Sequence, residues 1–197
     1  MKKYFYVVRH GETDYNAKGI FQGQKMDVAL NENGRQQARD LIDKLKKLHI
    51  GAIYCSPLKR ARETAEIIAR GLNLTVKEHK GLVEGNFGVA EGVPVEQVRQ
   101  FPVYPLWCNC SAKYDDVGFE GGETKKQIRQ RVLTALEQIA AVEPCEHILI
   151  VAHGAVSRTL NWAVGNYLQG IPNGTVSIFG YENGALSLQK ERVLLLS

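Results

Sequence analysis

Short apolar runs alternate along this chain with longer segments in which apolar residues recur at helical spacing. Runs that are rich in β-branched and aromatic side chains and bounded by turn residues are typical of buried strands. Such runs predict strands at residues 4–8, 52–55, 74–78, 147–152, 175–181 and 186–194. The run at 147–152 is the most apolar, which is typical of a central strand in a parallel sheet. The dipeptide Asn183-Gly184 predicts a hairpin turn between the last two strands.

Segments with helical spacing lie between these strands. The predicted helices cover residues 32 to about 48, 58 to about 70, 124 to about 142 and a segment that begins near residue 155. We expect Asn31 to cap the first helix and Gly71 to end the second. Strands that alternate with helices indicate an α/β fold with a mainly parallel sheet, and the final hairpin adds an antiparallel strand.

Three regions show neither the apolar runs of strands nor the helical spacing of apolar residues. Residues 10–31 and 81–92 are polar and dotted with glycines, which predicts loops. In residues 93–122, Pro102, Pro105 and the pair Gly121-Gly122 would break any long helix. We expect the whole chain, residues 1–197, to form a single domain in which residues 93–122 are an insertion or a lid.

Composition excludes several classes of protein. The 197 residues are 44% hydrophobic and 23% charged, close to globular averages, which argues against collagen, coiled coil and long disorder. The net charge of +4 is too small to indicate a nucleic-acid partner, and no apolar run is long enough to predict a membrane span. The four cysteines lack metal-site spacing, so we expect reduced thiols and a cytoplasmic location.

Basic side chains follow three of the predicted parallel strands. In α/β folds, ligands bind beyond the carboxyl ends of the strands. Arg9-His10, residues 56–60 with Arg60, and His153-Gly154 all occupy such positions. Two arginines and two histidines at one edge repel each other unless an anion lies among them, and a phosphoryl dianion fits arginine forks well. The helix start after Gly154 and backbone N–H groups at Gly11 and Gly154 would add to this attraction.

One of the histidines could do more than bind. A neutral imidazole can attack phosphorus and form a covalent phosphoramidate, which divides one difficult displacement into two steps. His10 follows the first strand directly on a Gly-flanked turn, so its position would be well fixed. The leaving oxygen needs a proton, and Glu84 in the Gly-rich loop is the candidate acid.

The segment at residues 7–16, VVRHGETDYN, resembles the signature of the histidine phosphatase superfamily, also called the phosphoglycerate mutase-like family. Four further segments resemble family motifs in the family's order: residues 21–23 with Asp27 and Leu30, residues 56–65, residues 82–88 with Glu91-Gly92, and residues 151–154. The resemblance spans residue 4 to about residue 165. Five ordered segments are together far more specific than the Arg-His-Gly triplet alone.

The resemblance implies a three-layer α/β/α sandwich and a role for each matching residue. His10 would become phosphohistidine, and Glu84 would protonate the leaving group and then activate water. Arg9, Arg60 and His153 would hold the phosphoryl oxygens. Further contacts to the phosphate or the substrate would come from Gly11, Asn16, Gln22, Gly23 and Gly154. No metal and no organic cofactor is implied.

Some of these residues also have plainer explanations. Glu84 could be a solvated loop carboxylate, and Asn16 could simply make an Asx turn. Gln22 and Gly23 could be ordinary loop residues.

Three functions remain open: a phosphomonoesterase acting on a small molecule, a phosphoglycerate mutase, and a non-catalytic phosphate-binding protein. A mutase must hold a second anionic group while the intermediate reorients, which asks for extra basic residues after the acid loop. Residues 93–119 offer only Arg99 and Lys113, opposed by Asp115 and Asp116, so the sequence favours the phosphatase. It identifies neither the phosphomonoester nor the oligomeric state.

Five aromatic side chains cluster in the same stretch: Phe101, Tyr104, Trp107, Tyr114 and Phe119. One explanation is that they pack the insertion onto the core. The other is an apolar lid that admits an aromatic or acyl phosphate.

Overall fold

One mixed sheet of six strands organises the molecule. The computed structural model describes residues 2–168 and 170–193, with the side chains of 190–193 excepted. The strands are β1 (Lys3–Arg9), β2 (Ala52–Cys55), β3 (Val76–Glu78), β4 (His147–Ala152), β5 (Val176–Glu182) and β6 (Ala185–Val193). Their order is β3-β2-β4-β1-β5-β6, and the first four in this order are parallel to one another. β5 runs antiparallel to β6, as the predicted hairpin requires, and also antiparallel to β1, which was not predicted.

Four longer helices cover the two faces of the sheet, and three short ones lie in the connections. They are α1 (Asp14–Ala17), α2 (Glu32–Lys46), α3 (Lys59–Leu72), α4 (Val95–Val98), α5 (Tyr104–Cys108), α6 (Lys125–Val142) and α7 (Gly154–Ala163). None of the helices in the described ranges is both long and apolar enough to cross a bilayer.

Side-chain alternation along the strands divides the core into two halves. Tyr6 and Val8 of β1 point to the face that α2 and α3 cover, whereas Phe5 and Val7 point to the face that α6 and α7 cover. Both faces are buried because both carry helices, so the central strands are almost continuously apolar. The three-layer α/β/α sandwich is therefore confirmed.

The start of α2 and the end of α3 test two predictions about helix boundaries. The Asn31 side chain accepts a hydrogen bond from the Gly34 N–H at 2.8 Å, which confirms it as the N-cap of α2. The prediction that Gly71 ends α3 is wrong: the helix continues to Leu72, and Asn73 adopts the left-handed conformation with φ of 55°. Gly71 is needed for packing instead, because a Cβ there would lie 2.4 Å from Cγ2 of Ile42 on α2.

The segment after β1 differs from its prediction as a loop, and the hairpin between β5 and β6 agrees with its prediction. The segment 10–31 is not entirely a loop, since Thr13 caps the one-turn helix α1 through a capping box with Asn16. At the hairpin, Asn183 and Gly184 have φ of 50° and 81°, which is the pair of positive values that a type I′ turn needs. The predicted end of β6 at residue 194 lies outside the described residues.

The segment 93–122 contributes to the core. Trp107 and Phe119 are 1% and 2% exposed, and their rings pack edge to face or tilted against each other and against Phe87. Neither ring lines the cleft described below. Packing onto the core therefore accounts for these two aromatic residues, and an apolar lid does not.

Candidate active site

The carboxyl ends of β2, β4 and β1 lie side by side in the middle of the sheet. The residues that follow the strands stay in register: the His10 N–H donates to the Ala152 carbonyl and the Ser56 N–H to the Val151 carbonyl, both at 3.0 Å. As a result, the rings of His10 and His153 have centroids 5.1 Å apart. The sheet order thus brings together side chains that are far apart in sequence.

His10 is held as a neutral imidazole whose lone pair is on Nε2. Its Nδ1 lies 2.7 Å from the carbonyl oxygen of Gly11, so Nδ1 carries the proton and donates it. Its Nε2 accepts a hydrogen bond from Arg60 Nε at 3.2 Å. Burial, followed by the charges of Arg60 and Arg9, lowers the pKa of His10 well below its usual value. The ring therefore stays uncharged and keeps a lone pair on Nε2.

The turn after His10 is held from two directions. The Gly11 N–H donates to Thr64 Oγ1 of α3 at 3.1 Å. Asn173, just before β5, donates from Nδ2 to the His10 carbonyl at 2.9 Å. Sequence reasoning missed Asn173, because the predicted hairpin did not indicate that β5 lies beside β1; only the structure shows that pairing.

Arg60 connects the cleft to the loop before α2. Its guanidinium is fully buried, and Nη1 and Nη2 donate to the carbonyls of Met26 at 2.8 Å and Gly23 at 3.1 Å. Burial lowers the pKa of Arg60, opposed most strongly by the charge of Glu84. Because a guanidinium has five N–H donors and three are used, two remain for a ligand.

Arg9 and His153 each keep an unused polar atom in this region. Arg9 Nη1 donates to the Ile171 carbonyl, whereas the buried Nε finds no acceptor within the described residues. His153 Nε2 lies 2.7 Å from Ser56 Oγ, and its buried Nδ1 likewise finds no partner there. Buried polar atoms are usually paired, so unpaired ones here are consistent with a polar ligand.

The carboxylate of Glu84 lies at the start of α7. Its Oε1 accepts from the N–H groups of Gly85 at 2.9 Å and Ala155 at 3.1 Å. The backbone of Glu84 is fixed as well, because its carbonyl accepts from Gln24 and Arg131. No hydrogen bond within the described part of the chain engages Oε2, so this oxygen is available to a substrate. Glu84 is 7% exposed, which contradicts the explanation as a solvated loop carboxylate.

Asn16 and Gln22 come from the loop after β1. Asn16 Oδ1 accepts from the Thr13 N–H at 3.2 Å and from Asn173 Nδ2 at 3.3 Å, which leaves its own Nδ2 for the cleft. Gln22 Nε2 is buried and has no acceptor among residues 2–168 and 170–193. Both side chains line the cleft and add donors to it.

The cleft contains most of the predicted site residues. Those that line it are Arg9, His10, Asn16, Gln22, Arg60, Glu84 and Gly154. Three predicted residues, Gly11, Gly23 and His153, are not part of this lining, but each contacts a residue that is. Gly11 and His153 contact His10, and Gly23 contacts Arg60. Direct substrate contacts by these three stay predictions. The lining also includes Arg99 and Arg158; Arg158 was not identified from the sequence.

Comparison with known proteins identifies the family. Residues 5–192 match the model of the histidine phosphatase superfamily (branch 1). The chain belongs to the histidine phosphatase superfamily. Two relatives of this superfamily member are "Uncharacterized phosphatase PhoE" of Bacillus subtilis (strain 168), 36% identical over 154 residues, and "Phosphoglycerate mutase-like protein 4" of Arabidopsis thaliana, 38% identical over 158 residues. Each alignment covers 78% of this chain, and they cover 73% and 67% of the respective relatives.

A solved structure supports the same membership. The structure of a mycobacterial glucosyl-3-phosphoglycerate phosphatase in complex with VO3 matches with a TM-score of 0.83 at 25% identity. The alignment covers 96% of this chain and 99% of that one. The superfamily contains both phosphatases and mutase-like proteins, so this member falls in the class of phosphatases and phosphotransferases.

Proposed function

We propose that this protein is a metal-independent phosphomonoesterase that works through a phosphohistidine on His10. The observation that carries the proposal is the buried, uncharged His10, whose Nε2 lone pair lies among the donors of Arg60 and Arg9. Arg9 and Arg60 line the cleft with Glu84 as the acidic residue of that lining, and this excess of positive charge favours a dianion over a neutral ligand. A purely binding protein would have no need of a nucleophile and an acid in the same cleft.

In the first step, Nε2 of His10 forms a bond to phosphorus while the bond from phosphorus to the ester oxygen breaks. The electron pair leaves on that oxygen, and Glu84 supplies its proton. Before the attack, Nε2 must give up its hydrogen bond from Arg60 so that its lone pair can reach phosphorus. This exchange becomes favourable once the guanidinium donates to phosphoryl oxygens instead. The Nδ1 bond to the Gly11 carbonyl stabilises the cation that forms on the ring.

In the second step, water attacks phosphorus and the bond between nitrogen and phosphorus breaks. Glu84, now ionised, accepts a proton from this water. The ring returns to its neutral form, and inorganic phosphate leaves. The two N–H groups on Oε1 keep the carboxyl group in one place through both steps, so Oε2 can give and take the proton.

His10→Ala tests the proposal, because it removes the nucleophile. We expect no measurable hydrolysis of p-nitrophenyl phosphate and no acid-labile label after mixing with a radiolabelled phosphomonoester. His49→Ala, at an exposed position, is the matched control and should keep both signals. Vanadate should compete with substrate, and EDTA should leave the rate unchanged. Labelling that persists in His10→Ala would identify another nucleophile and refute the mechanism.

A phosphoglycerate mutase is the second candidate, and one observation favours it. Arg99 and Arg158 both line the cleft, so basic residues for a second anionic group are present although the sequence of 93–119 suggested too few. Incubation with 3-phosphoglycerate separates the two functions. A phosphatase releases inorganic phosphate and glycerate, whereas a mutase produces 2-phosphoglycerate, and phosphorus NMR distinguishes these products.

The cysteines support the proposal of a reducing compartment such as the cytoplasm. All four are free thiols in the structure. Burial raises the pKa of Cys55 to about 12, so this thiol is a packing residue and not a reactive one. Extracellular chains more often cross-link their cysteines.

A further inference from the structure

Ser56 lies at the carboxyl end of β2, and its side chain contacts His153. The residue is fully buried, and its backbone N–H donates to the Val151 carbonyl of β4 at 3.0 Å. Ser56 Oγ lies 2.7 Å from Nε2 of His153. Within the described residues this is the only hydrogen bond of the His153 ring, because Nδ1 has no partner there. The direction in which this bond runs therefore decides which ring nitrogen carries a proton.

The imidazole of His153 is uncharged in the free protein. Burial, followed by the charge of Arg60, lowers the pKa of His153 well below its usual value. A neutral imidazole carries its proton either on Nδ1 or on Nε2, and the other nitrogen has a lone pair. The two tautomers offer opposite groups to a ligand at Nδ1, because one presents a donor there and the other an acceptor.

The hydrogen bonds of Ser56 favour the tautomer with the proton on Nδ1. Ser56 Oγ already accepts from the Leu58 N–H at 3.2 Å, and among the described residues its own proton has no acceptor other than Nε2. If Oγ–H donates to Nε2, only Nδ1–H is left unpaired. If Nε2–H donates to Oγ instead, both the Ser56 proton and the Nδ1 lone pair are left unpaired. Buried polar groups without partners are costly, so the first arrangement is the more stable one.

The neighbouring side chains also present donors. Arg9 has a buried Nε–H without an acceptor in the described part of the chain, and Arg60 has two N–H groups beyond the three that it uses. A phosphoryl dianion has three strong acceptor oxygens. An N–H at Nδ1 of His153 adds a donor for such a group, whereas a lone pair at Nδ1 would repel its oxygens.

We propose that Ser56 is a positioning residue: its hydroxyl proton binds the lone pair of His153 at Nε2 and so keeps a proton on Nδ1 for a phosphoryl oxygen of the substrate. The inference rests on the proposed phosphatase function. Ser56 acts through His153 and takes no part in the reaction itself. Both histidines then carry the proton on Nδ1, His10 because an acceptor faces Nδ1 and His153 because a donor faces Nε2.

Nuclear magnetic resonance measures the tautomer of His153 directly. In two-bond ¹H–¹⁵N correlation spectra of the labelled protein, protonated and unprotonated imidazole nitrogens have widely separated ¹⁵N shifts. The signals of His153 are those that disappear in His153→Gln. We expect the wild type at neutral pH to have a protonated Nδ1 and an unprotonated Nε2. A wild-type His153 with its proton on Nε2 would overturn the inference, and this result needs no Ser56 variant to fold.

Ser56→Ala removes the hydroxyl that holds the tautomer. We expect its spectrum to show a substantial population of the Nε2–H form. We also expect the inhibition constant of vanadate to rise and kcat/KM for p-nitrophenyl phosphate to fall, each by about three- to tenfold, the usual size of one uncharged hydrogen bond. Ser56→Thr keeps a hydroxyl and should restore the Nδ1–H form together with both kinetic values.

Ser157→Ala is the matched control. Ser157 is also a buried serine, 1% exposed, but its hydroxyl has no hydrogen-bond partner within residues 2–168 and 170–193. This variant should keep the wild-type tautomer, vanadate inhibition and kcat/KM. Equal effects of the two alanine substitutions would show that any loss in Ser56→Ala comes from packing, which contradicts the inference.

The spectra separate the inference from the proposed function. If Ser56→Ala left His153 entirely in the Nδ1–H form, another group would hold the tautomer and the inference would be wrong, even for an active phosphatase. If the wild type hydrolysed no phosphomonoester, the proposed function would be refuted, and the inference that Ser56 prepares His153 for a phosphoryl oxygen would fall with it. The same spectra would still show whether Ser56 fixes the tautomer.

Discussion

Two hydrogen bonds determine which nitrogen of His10 can react. The Gly11 carbonyl accepts a hydrogen bond from the N–H at Nδ1, and the Arg60 Nε–H donates a hydrogen bond to Nε2. Nε2 can accept the hydrogen bond from Arg60 only if it carries a lone pair and no proton. The surroundings therefore fix the tautomer of His10. Arg60 donates to Nε2 in the free protein and is proposed to bind the phosphoryl group of the substrate. Substrate binding would therefore free the Nε2 lone pair for attack.

Glu84→Gln should slow alkyl phosphates much more than aryl phosphates. A glutamine keeps the shape of the side chain but cannot supply a proton, and a phenolate leaves without one whereas an alkoxide does not. We expect kcat for glycerol phosphate to fall about 100-fold or more, within the usual contribution of a general acid, and kcat for p-nitrophenyl phosphate to fall much less. Steady-state assays of the two compounds measure the difference.

Glu123→Gln is the control for this substitution. Glu123 accepts from Gln24 and from Arg131, the residues that also fix the backbone of Glu84, but it does not line the cleft. A loosened acid loop should slow both classes of substrate equally. If Glu84→Gln also slowed both equally, the assignment of Glu84 as the proton donor would be wrong.

At the scale of elements, the start of α2 fixes the turn that carries His10. The Asn31 N–H donates to the Glu12 carbonyl at 3.0 Å, and Gly34 of α2 lies directly against residues 11 and 12. A Cβ on Gly34 would come within 2.1 Å of the Glu12 carbonyl oxygen, and one on Gly11 within 2.3 Å of the Gly34 carbonyl oxygen. Both glycines are therefore required by backbone contact.

Gly34→Ala should destabilise the protein, although alanine is the better helix former. Helix propensity alone would stabilise α2 by up to about 1 kcal/mol. The contact with the Glu12 backbone has no flexible side chain that could move aside, so we expect a net loss of more than about 2 kcal/mol in the free energy of unfolding. Urea denaturation measures this loss, and kcat should fall with it because the turn after His10 is displaced.

Asp43→Ala, at an exposed position of the same helix, should change the free energy of unfolding by less than about 0.5 kcal/mol. A Gly34→Ala variant as stable as the wild type would show that the turn after His10 does not depend on the close approach of α2.

At the scale of the whole molecule, the sheet edge buries two histidines between two arginines. Burial and then the charge of Arg60 lower the pKa of both His10 and His153 well below the usual value. The folded protein therefore leaves these rings unprotonated at pH values where the unfolded chain protonates them. Because the unfolded state then binds more protons, the free energy of unfolding must decrease as the pH falls below about 6.5.

This linkage predicts a loss of stability between pH 7.5 and 5.5. Each buried histidine contributes up to about 1.4 kcal/mol at pH 5.5, since its proton affinity differs between the folded and the unfolded states. We expect the free energy of unfolding of His153→Gln to decrease by about that much less than the wild type's over the same pH interval, whatever the variant's stability at pH 7.5. Urea denaturation at both pH values gives the two differences. Equal losses in wild type and variant would show that His153 titrates in the folded protein.

Sequence reasoning succeeded where the relevant signal was local. The apolar runs of β1, β2 and β4 placed three strand ends, and the rule for ligands in parallel sheets then selected Arg9, His10, Arg60 and His153. It failed at Gly71. A glycine can either end a helix or allow another helix to pack closely, and which of the two applies here depends on the position of Ile42 in α2. It missed Asn173, which precedes the antiparallel strand β5, and Arg158, which lies one turn inside the helix after β4, because the rule for ligands in parallel sheets selects only the residues directly after a parallel strand.

The sequence by itself determined the layered fold, the parallel centre of the sheet and the set of basic side chains at its edge. These follow from hydrophobic periodicity and from motifs read along the chain. Only the tertiary structure decided the protonation of His10, the contact between Glu84 and the start of α7, and the place of Arg158 in the lining of the cleft. Those properties depend on burial and on distances between residues far apart in sequence, and a pattern along one dimension does not contain them.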